Sequence, residues 1–191
     1  GGTFDPIHCG HLASAKAVRK SLGVTALKLI PSFIPPHRDV PGSTAEQRLA
    51  MLKIAIADVD GLEVDDRELV RQGVSYTVDT LDSFRAELGQ TLPLYFVLGF
   101  DSYCTLHEWK HWQEITRKCH LVVLARPGYE DETPAQIVEW SKDKMVEEPK
   151  HLMNRACGGI LTISLIQVDV SATELRKIFK EGKRPTGKTP E

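Results

Sequence analysis

The spacing of hydrophobic residues in the first part of the chain changes from a helical to a strand-like pattern. Between Leu12 and Leu22 apolar residues recur at intervals of three and four, which predicts an amphipathic helix with Gly23 as its C-terminal cap. Residues 26–30 form a short, mostly apolar run that ends at Pro31 and predicts a strand. A helix followed directly by a strand is therefore the first predicted pair of elements.

Two further helices are predicted from N-terminal capping residues and the apolar positions that follow them. Thr44 and Gln47 fit a capping box for the first, and Thr77 is the predicted cap of the second, which ends at Gly89. Residues 62–65 lie between these helices and predict another strand. The residues expected to face inward are Leu49, Leu52 and Ile56 in the first helix and Leu81, Phe84 and Leu88 in the second.

Residues 94–98 and 121–125 are continuous apolar runs, a pattern typical of strands buried on both faces of a parallel sheet. Strands that alternate with helices predict a doubly wound α/β fold. Because no repeat or change of composition interrupts residues 1–191, we expect one domain. The other elements expected are a helical stretch around Trp109 and Trp112, a polar helix after Pro134, a strand within residues 160–168 and a helix over residues 171–180 that ends before Gly182.

Composition and charge argue against several classes of protein. Hydrophobic residues make up 41% and charged residues 26% of the 191 residues, as in an ordinary globular protein with no membrane span. A formal charge of −2 provides no field for binding nucleic acid. The cysteines show no paired spacing, which argues against a zinc site or a disulfide scaffold and fits a reducing cytoplasm. They are Cys9, Cys104, Cys119 and Cys157.

The first twelve residues, GGTFDPIHCGHL, place two histidines around a glycine where the first helical pattern begins. His8 and His11 are three apart, so at a helix N-terminus they lie close together beside N–H groups that favour an anion. Gly1, Gly2 and Gly10 lack Cβ atoms and let a phosphate approach the backbone. Histidines with only a structural role are the alternative, but the flanking residues favour phosphate binding.

In a doubly wound sheet, ligands lie beyond the carboxyl ends of the strands, and several polar residues follow predicted strands. Asp101 follows one strand through Gly99, where it could contact a ribose or help to position a phosphate-bound metal, or else cap the next helix. Arg126 follows the next strand and could lie beside adenine or only cover the strand end. Ser171 with Glu174 fits a capping box, which by itself explains both residues.

Three further residues could bind phosphate oxygens. Arg176 lies in the second turn of the last predicted helix, where its forked donors could reach a phosphate, although a solvated arginine is the alternative. His37 and Arg38 follow a double proline and are candidates for the phosphate of a mononucleotide, with a solvated loop as the alternative.

The segment Ser75–Thr77 and the tryptophan at position 109 suit a carboxylated aromatic ring. A helix N-terminus at Tyr76 and Thr77 would offer N–H donors to a carboxylate, and Trp109 offers a flat face for stacking. The alternative is that Tyr76 and Trp109 are core aromatics. Trp112 and Trp140 are expected only to pack.

Taken together, these segments resemble the HxGH nucleotidylyltransferase superfamily and, within it, the bacterial nicotinate mononucleotide adenylyltransferases. The resemblance extends from residue 1 to about residue 176, although Cys9 stands where these enzymes often carry tyrosine. The segments that carry it are GGTFDPIHCGHL at 1–12, IPSFIPPHR at 30–38, SYT at 75–77, TL at 80–81, LGFDS at 98–102, HEW at 107–109, RPG at 126–128 and VSATELR at 170–176.

The resemblance implies a Rossmann-like, mostly parallel sheet with helices on both faces, a strand upstream of residue 1 and one more C-terminal helix. It implies transfer of AMP from ATP to nicotinate mononucleotide in NAD biosynthesis, with Mg²⁺ held through the ATP phosphates, and the sequence shows no dedicated protein cage for the metal. The implied catalytic residues are His8, His11 and Arg176. The implied ATP-binding residues are Gly2, Thr3, Phe4, His8, His11, Gly99, Asp101, Arg126, Ser171 and Arg176, and those for the mononucleotide are Asp5, His37, Arg38, Tyr76, Thr77 and Trp109.

We therefore expect ATP and nicotinate mononucleotide as partners, no nucleic acid or membrane, a cytoplasmic location, and we allow for a homo-oligomer. Other functions stay open at this point. The HxGH core determines only the phosphate chemistry, so adenylylation of pantetheine phosphate or cytidylylation of a phosphorylated alcohol is an alternative, against which Ser75–Thr77 and Trp109 argue. A non-catalytic nucleotide sensor would keep the pocket without turnover. The length and the lack of a basic surface disfavour a fragment of a class I aminoacyl-tRNA synthetase.

Overall fold

The computed structural model of the protein describes residues 1–36, 40–125, 133–164, 172–182 and 187–190. The chain divides into two compact units, of which the first contains residues 1–75 and 167–191 and the second contains residues 76–166. The expectation of one domain over residues 1–191 stays a prediction.

The order of helices and strands follows the alternation predicted from the sequence. The elements are α1 (Cys9–Leu22), β1 (Leu27–Leu29), α2 (Ala45–Ala55), β2 (Leu62–Val64), α3 (Arg67–Arg71), α4 (Thr77–Leu88), β3 (Tyr95–Gly99), α5 (Phe100–Cys104), the 3₁₀ turn η1 (Leu106–Glu108), α6 (Trp112–Lys118), β4 (His120–Ala125), α7 (Ala135–Ser141), β5 (Met145–Val146), α8 (Lys150–Met153), β6 (Ile160–Ser164) and α9 (Ala172–Lys180).

The first unit is built around the parallel pair of β1 and β2, in which Leu27 lies opposite Leu62. Helix α1 buries every residue of the apolar stripe that the sequence predicts. Its C-cap is Gly23, which has a φ of 63° and donates its backbone N–H to the last turn of the helix. That left-handed conformation favours glycine, so the predicted end of the helix is confirmed. The buried stripe consists of Leu12, Ala15, Val18 and Leu22.

The capping box predicted for α2 is confirmed. Thr44 donates its N–H to Oε1 of Gln47 at 2.9 Å, and Gln47 donates its N–H to Oγ1 of Thr44 at 3.2 Å. Leu52 and Ile56 are buried as predicted, whereas Leu49 is half-buried. The same face of the helix also buries Arg48, which the sequence analysis does not anticipate.

The second unit contains a four-stranded parallel sheet in the order β3-β4-β6-β5. Strand β4 is buried along nearly its whole length, as the apolar run at residues 121–125 predicts. Burial of residues 94–98 on both faces is a wrong prediction, since among them Leu98 alone is buried. The reason is that β3 lies at one end of the strand order and, within the described sheet, pairs with β4 only.

Three short elements and one helix boundary also differ from the prediction. The sequence analysis misses α3, β5 and α8, which have 5, 2 and 4 residues, because such short elements contain too little of a period to be seen. In α4, Tyr76 is the N-cap and Thr77 is the first helical residue. Leu81 and Phe84 are buried as predicted, but Leu88 at the end of the helix is exposed.

Packing of Trp112 and Trp140 is confirmed, because their rings lie 4.9 Å apart and both pack against the core of the second unit. The fold class is confirmed as well. All described strand pairs are parallel, and the chain has the doubly wound, Rossmann-like α/β architecture with helices on both faces of a mostly parallel sheet.

A buried histidine connects two turns inside the second unit. His120 is 0% exposed, and its Nδ1 accepts the N–H of Gly159 at 2.9 Å. Because Nδ1 is an acceptor, Nε2 carries the proton and donates to the carbonyl of Arg155 at 2.8 Å. Burial lowers the pKa of His120 below its ordinary value; the hydrogen bond to the Arg155 carbonyl opposes this shift, and the charges of Arg155 and Arg85 add to it.

We expect the protein to lose stability on acidification and His120 to contribute to the loss. In the unfolded chain His120 has a pKa of about 6.5, which is above its native pKa. The unfolded state therefore takes up a proton first, and the free energy of unfolding falls as the pH decreases below about 6.5. Replacing His120 by Gln removes this proton uptake. Urea unfolding should show a loss of unfolding free energy between about pH 7.5 and about pH 5.5 that is smaller in His120→Gln than in the wild type, by up to about 1 kcal/mol.

Exposed His151 provides the matched control, and His151→Gln should lose as much stability as the wild type over the same pH interval. Equal losses in His120→Gln and wild-type protein would contradict the role of His120.

Candidate nucleotide-binding site

The glycine-rich turn of the first unit lies beside the segment that follows β1. Gly2 donates its N–H to the carbonyl of Ile30 at 3.0 Å, and its own carbonyl accepts the N–H of Ser32 at the same distance. Residue 2 thus pairs with residue 31 as an isolated parallel bridge. The turn therefore lies beside the segment that leaves the carboxyl end of β1, the edge at which a doubly wound sheet binds its ligands.

Phe4 has a φ of 50°, in the left-handed region that a bulky residue rarely adopts. Its buried ring contacts His11 edge-on, with the ring centroids 5.2 Å apart. A Cβ at position 2 would meet the ring of Phe4 at 3.3 Å, which explains Gly2 there. The strained backbone at Phe4 thus holds an aromatic wall against one of the two predicted phosphate-binding histidines.

The two histidines stack on each other at the start of α1, with ring centroids 3.7 Å apart. Nδ1 of His11 accepts the N–H of His8, the N-cap residue, at 3.3 Å. The proton of neutral His11 therefore lies on Nε2. Nδ1 of His8 is buried and has no hydrogen-bond partner in the described part of the chain.

Burial lowers the pKa of both histidines. For His8 the cause is burial alone, whereas for His11 burial and then the charge of His8 lower the pKa to about 3. Both rings are therefore neutral at pH 7, and each offers at most one N–H donor. An anion at this helix N-terminus would meet neutral donors and the helix dipole.

Arg176 reaches the turn from α9, as the sequence predicts for a phosphate-binding residue. Its Nη1 donates to the carbonyl of Asp5 at 2.6 Å, and its Nη2 donates to Oγ1 of Thr173 at 3.1 Å. The structure thus brings together the three predicted catalytic residues of the first unit at one turn.

The buried carboxylate of Asp5 is hydrogen-bonded to other residues of the protein. It accepts the N–H of Gly42 at 2.7 Å and is 5% exposed. Burial acts to raise the pKa of Asp5, but hydrogen bonds from Ser43 and Gly42 and the charge of Arg176 outweigh it and leave the pKa below its ordinary value. Asp5 stays a predicted mononucleotide-binding residue, and its observed contact joins the turn to residues 42–43.

The second unit presents the predicted ring-binding residues on α4 and η1. Tyr76 is the N-cap of α4 but makes no hydrogen bond from its side chain to the first turn. Nζ of Lys110 lies 4.6 Å above the Tyr76 ring and 3.3 Å from both carboxylate oxygens of Asp79. Asp79 in the first turn of α4 therefore balances the charge of Lys110, and what favours an anion at Thr77 is the N–H groups and dipole of the helix.

Asp101 lies in α5, directly after the carboxyl end of β3, whereas Trp109 is the C-cap of η1 and packs beside β3. Trp109 is half-buried and meets Phe96 edge-on at 6.2 Å, so its indole both packs and retains exposed surface. Gly99, rather than Asp101, is the N-cap of α5, and the N-cap alternative for Asp101 is therefore wrong. A Cβ at Gly99 would meet no atom within 4 Å, which leaves room near the backbone.

Four predicted site residues, His37, Arg38, Arg126 and Ser171, lie outside the described residues. Within the described ranges, no group of three or more His, Cys, Asp or Glu side chains could hold a metal ion. None of the helices searched there is long and apolar enough to cross a membrane.

Arg48 is the residue at this turn that the sequence analysis misses. It lies four positions before Leu52, on the inward face of α2, and is 1% exposed. A cation on an apolar helical stripe is the signal that could have identified it, because a buried arginine requires compensating acceptors.

Comparisons with known proteins agree with this geometry. The sequence matches the cytidylyltransferase-like family over residues 1–178. The probable nicotinate-nucleotide adenylyltransferase of Serratia proteamaculans is 44% identical over 184 residues, which cover 95% of this chain and 83% of the relative. The protein of the same name from Pseudomonas syringae pv. tomato is 45% identical, with 96% and 82% of the two chains covered.

Among solved structures, Plasmodium falciparum nicotinic acid mononucleotide adenylyltransferase complexed with NaAD is similar, with a TM-score of 0.71 at 16% identity. The match covers 96% of this chain and 83% of that chain, and it supports the fold. The chain therefore belongs to the cytidylyltransferase-like family and, within it, to the nicotinate-nucleotide adenylyltransferases. The predicted resemblance is confirmed.

We expect His11 to remain neutral, with its proton on Nε2, throughout the physiological pH range. The physical reason is its burial beside His8 and the N–H that Nδ1 accepts. A ¹⁵N NMR titration of the histidines should show the Nε2–H tautomer of His11 and no protonation above roughly pH 4. Titration of His11 near its ordinary pKa of about 6.5 would contradict the structure.

Proposed function

We propose that the protein transfers AMP from ATP to nicotinate mononucleotide, forming nicotinate adenine dinucleotide and pyrophosphate in NAD biosynthesis. The observation that carries the proposal is the stacked pair of His8 and His11 at the N-terminus of α1, beside Arg176. The relatives named nicotinate-nucleotide adenylyltransferases support the choice of substrates.

The reaction is a displacement at the α-phosphorus of ATP. A phosphate oxygen of the mononucleotide forms a bond to that phosphorus, and the bond from it to the bridging oxygen of pyrophosphate breaks. The attacking oxygen is already anionic near neutral pH, so the site requires no general base. Catalysis then depends on the alignment of the two phosphates and on donors directed at the developing charge.

Neutral histidines suit this task because they bind phosphate oxygens without a change of protonation. Nε2–H of His11 has no acceptor among the described residues, so it is available as a donor to a phosphate. Arg176 supplies the positive charge, and its contact with the carbonyl of Asp5 fixes its position at the turn.

The mononucleotide would bind at the second unit through its ring. The N-terminus of α4 at Tyr76 and Thr77 suits the carboxylate of nicotinate, since N–H groups donate to it. Trp109 would stack on the pyridine ring with its exposed surface. His37 and Arg38 are proposed for the phosphate of the mononucleotide, together with Asp5, whose carboxylate accepts the N–H of Gly42, four positions after Arg38.

The proposal also includes further contacts to ATP, the metal ion and the location of the protein. ATP would also contact Gly2, Thr3, Phe4, Gly99 and Asp101, together with Arg126 and Ser171. Mg²⁺ would arrive with ATP and neutralise charge on its phosphates, since Mg²⁺ usually binds through substrate phosphates and few protein ligands. A cytoplasmic location fits the four cysteines, which lie in described residues and form no disulfide.

The direct test is pyrophosphate release from ATP and Mg²⁺ with nicotinate mononucleotide, its carboxamide form and pantetheine phosphate as alternative acceptors. We expect strong preference for the carboxylate form, because the N-terminus of α4 donates hydrogen bonds that the NH₂ of a carboxamide cannot accept. ATP binding without pyrophosphate release in the presence of any of these acceptors would favour a nucleotide sensor instead.

His11→Ala is the control variant for this assay and should reduce turnover about 100- to 1,000-fold by removing one donor to the developing charge. His11→Asn retains an acceptor for the N–H of His8 but lacks the Nε2 donor, so it should fold normally and remain slow.

Trp109→Ala should raise KM for the mononucleotide about tenfold and change kcat less, because loss of one stacking contact costs about 1–3 kcal/mol of binding. Steady-state kinetics at saturating ATP provide the measurement. Trp109→Phe keeps a flat ring and should have a KM closer to that of the wild type. An unchanged KM in Trp109→Ala would show that this tryptophan only packs.

A further inference from the structure

Arg48 lies on α2 and donates hydrogen bonds to main-chain carbonyls of two separate segments. Nη1 donates to the carbonyl of Thr3 at 2.8 Å, while Nη2 donates to the carbonyls of Ser32 at 2.7 Å and Phe33 at 3.3 Å. With 1% of its surface exposed, the side chain is almost fully buried. A buried cation with this many main-chain acceptors joins the glycine-rich turn to the segment after β1.

The two segments pair only over a short distance before they separate. The hydrogen bonds of Gly2 with Ile30 and Ser32 form the isolated bridge of this pair. One residue later the carbonyls of Thr3 and Ser32 accept hydrogen bonds from Arg48. Arg48 thus supplies the donors at the point where the parallel pairing ends.

The residues that follow Thr3 form the candidate site. Phe4, with its φ of 50°, places its ring against His11, and His11 accepts the N–H of His8. A shift of the Thr3 carbonyl would therefore move the peptide that sets the strained conformation of Phe4. The guanidinium can hold both segments because its donors form a rigid planar fork, whereas a lysine ammonium has one compact donor group.

We propose that Arg48 is a positioning residue for AMP transfer, whose fork aligns the Thr3–Phe4 peptide and thereby the stacked histidines with the reacting phosphate. This inference rests on the proposed function. Arg48 touches no reacting atom, and its effect on the reaction is exerted through Thr3 and Phe4.

The chain contains a matched control in Arg85 of the second unit. Arg85 is 5% exposed and donates only to main-chain carbonyls among the contacts observed, at 2.7–3.1 Å. Its acceptors belong to Lys118, Gly89, Leu92 and Ala156, none of which is a proposed site residue. The two arginines therefore share burial and chemistry but differ in what they position.

The experiment compares Arg48→Lys with Arg85→Lys by thermal unfolding and by steady-state kinetics with ATP and nicotinate mononucleotide. Both variants should lower Tm. We expect kcat to fall about 100-fold in Arg48→Lys, because displacement of aligned groups by about 1 Å has an effect of that size. In Arg85→Lys, assayed below its own Tm, kcat should stay within about threefold of the wild type.

A chemical rescue separates positioning from general stability. Arg48→Ala should recover part of its kcat when ethylguanidinium is added, since the planar fork returns to the vacated space. Ethylammonium at the same concentration should not restore kcat, and neither ion should increase the activity of the wild type.

Three results would overturn the inference. The first is a kcat of Arg48→Lys close to that of Arg85→Lys, which would make Arg48 only a structural residue. The second is unfolding of both Arg48→Lys and Arg48→Ala, with or without ethylguanidinium, at a temperature where Arg85→Lys is folded. The third is wild-type protein that binds ATP without turnover. This result would overturn the proposed function and this inference with it, and it is distinguished from the other two because it is seen in the wild type alone.

Discussion

Both units depend on one constraint. Main-chain N–H and carbonyl groups at the ends of strands and helices have no partner within those elements and must be paired elsewhere. Buried side chains provide the missing partners: Arg48 for three carbonyls, Arg85 for four, and His120 for one N–H and one carbonyl. An unpaired buried carbonyl or N–H would cost about 1–3 kcal/mol each, so these side chains are necessary for the turns they connect. The turns in the first unit are also those that form the candidate site.

His11, a proposed catalytic residue, and His120, a structural residue, share one hydrogen-bonding pattern at Nδ1 and differ at Nε2. In both, Nδ1 accepts a main-chain N–H, which places the proton on Nε2. In His120 that proton is donated to the carbonyl of Arg155 inside the core. In His11 it has no acceptor among the described residues, at the N-terminus of a helix beside an arginine. The two histidines therefore differ in the partner of Nε2, which leaves the Nε2–H of His11 available for the proposed ligand.

The electrostatic design of the turn follows from burial. Burial lowers the pKa of His8 and His11 and keeps both rings neutral, while Arg176 contributes a fixed charge. A nucleotide would then bind without a proton exchange with the histidines at neutral pH. This arrangement fits phosphoryl chemistry in which the nucleophile is already ionised, because alignment and fixed donors matter more than proton transfer.

The sequence by itself determined the features that depend on nearby residues. The apolar stripe and glycine cap of α1, the Thr44–Gln47 box of α2, the buried run of β4 and the pairing of His8 with His11 all follow from spacings within a few positions. The order of the motifs was sufficient to indicate the family, and the alternation of helices and strands to indicate the fold.

Only the tertiary structure decided the features that depend on residues far apart in the chain. The partial exposure of β3, the strained φ of Phe4, the tautomer of His11 and the burial of Arg48 belong to this group. A periodic pattern shows which face of an element is apolar, but it does not show which strand lies beside it. It also cannot show that an arginine on α2 meets carbonyls 45 and 16 positions away, because such contacts form only when the chain folds back on itself.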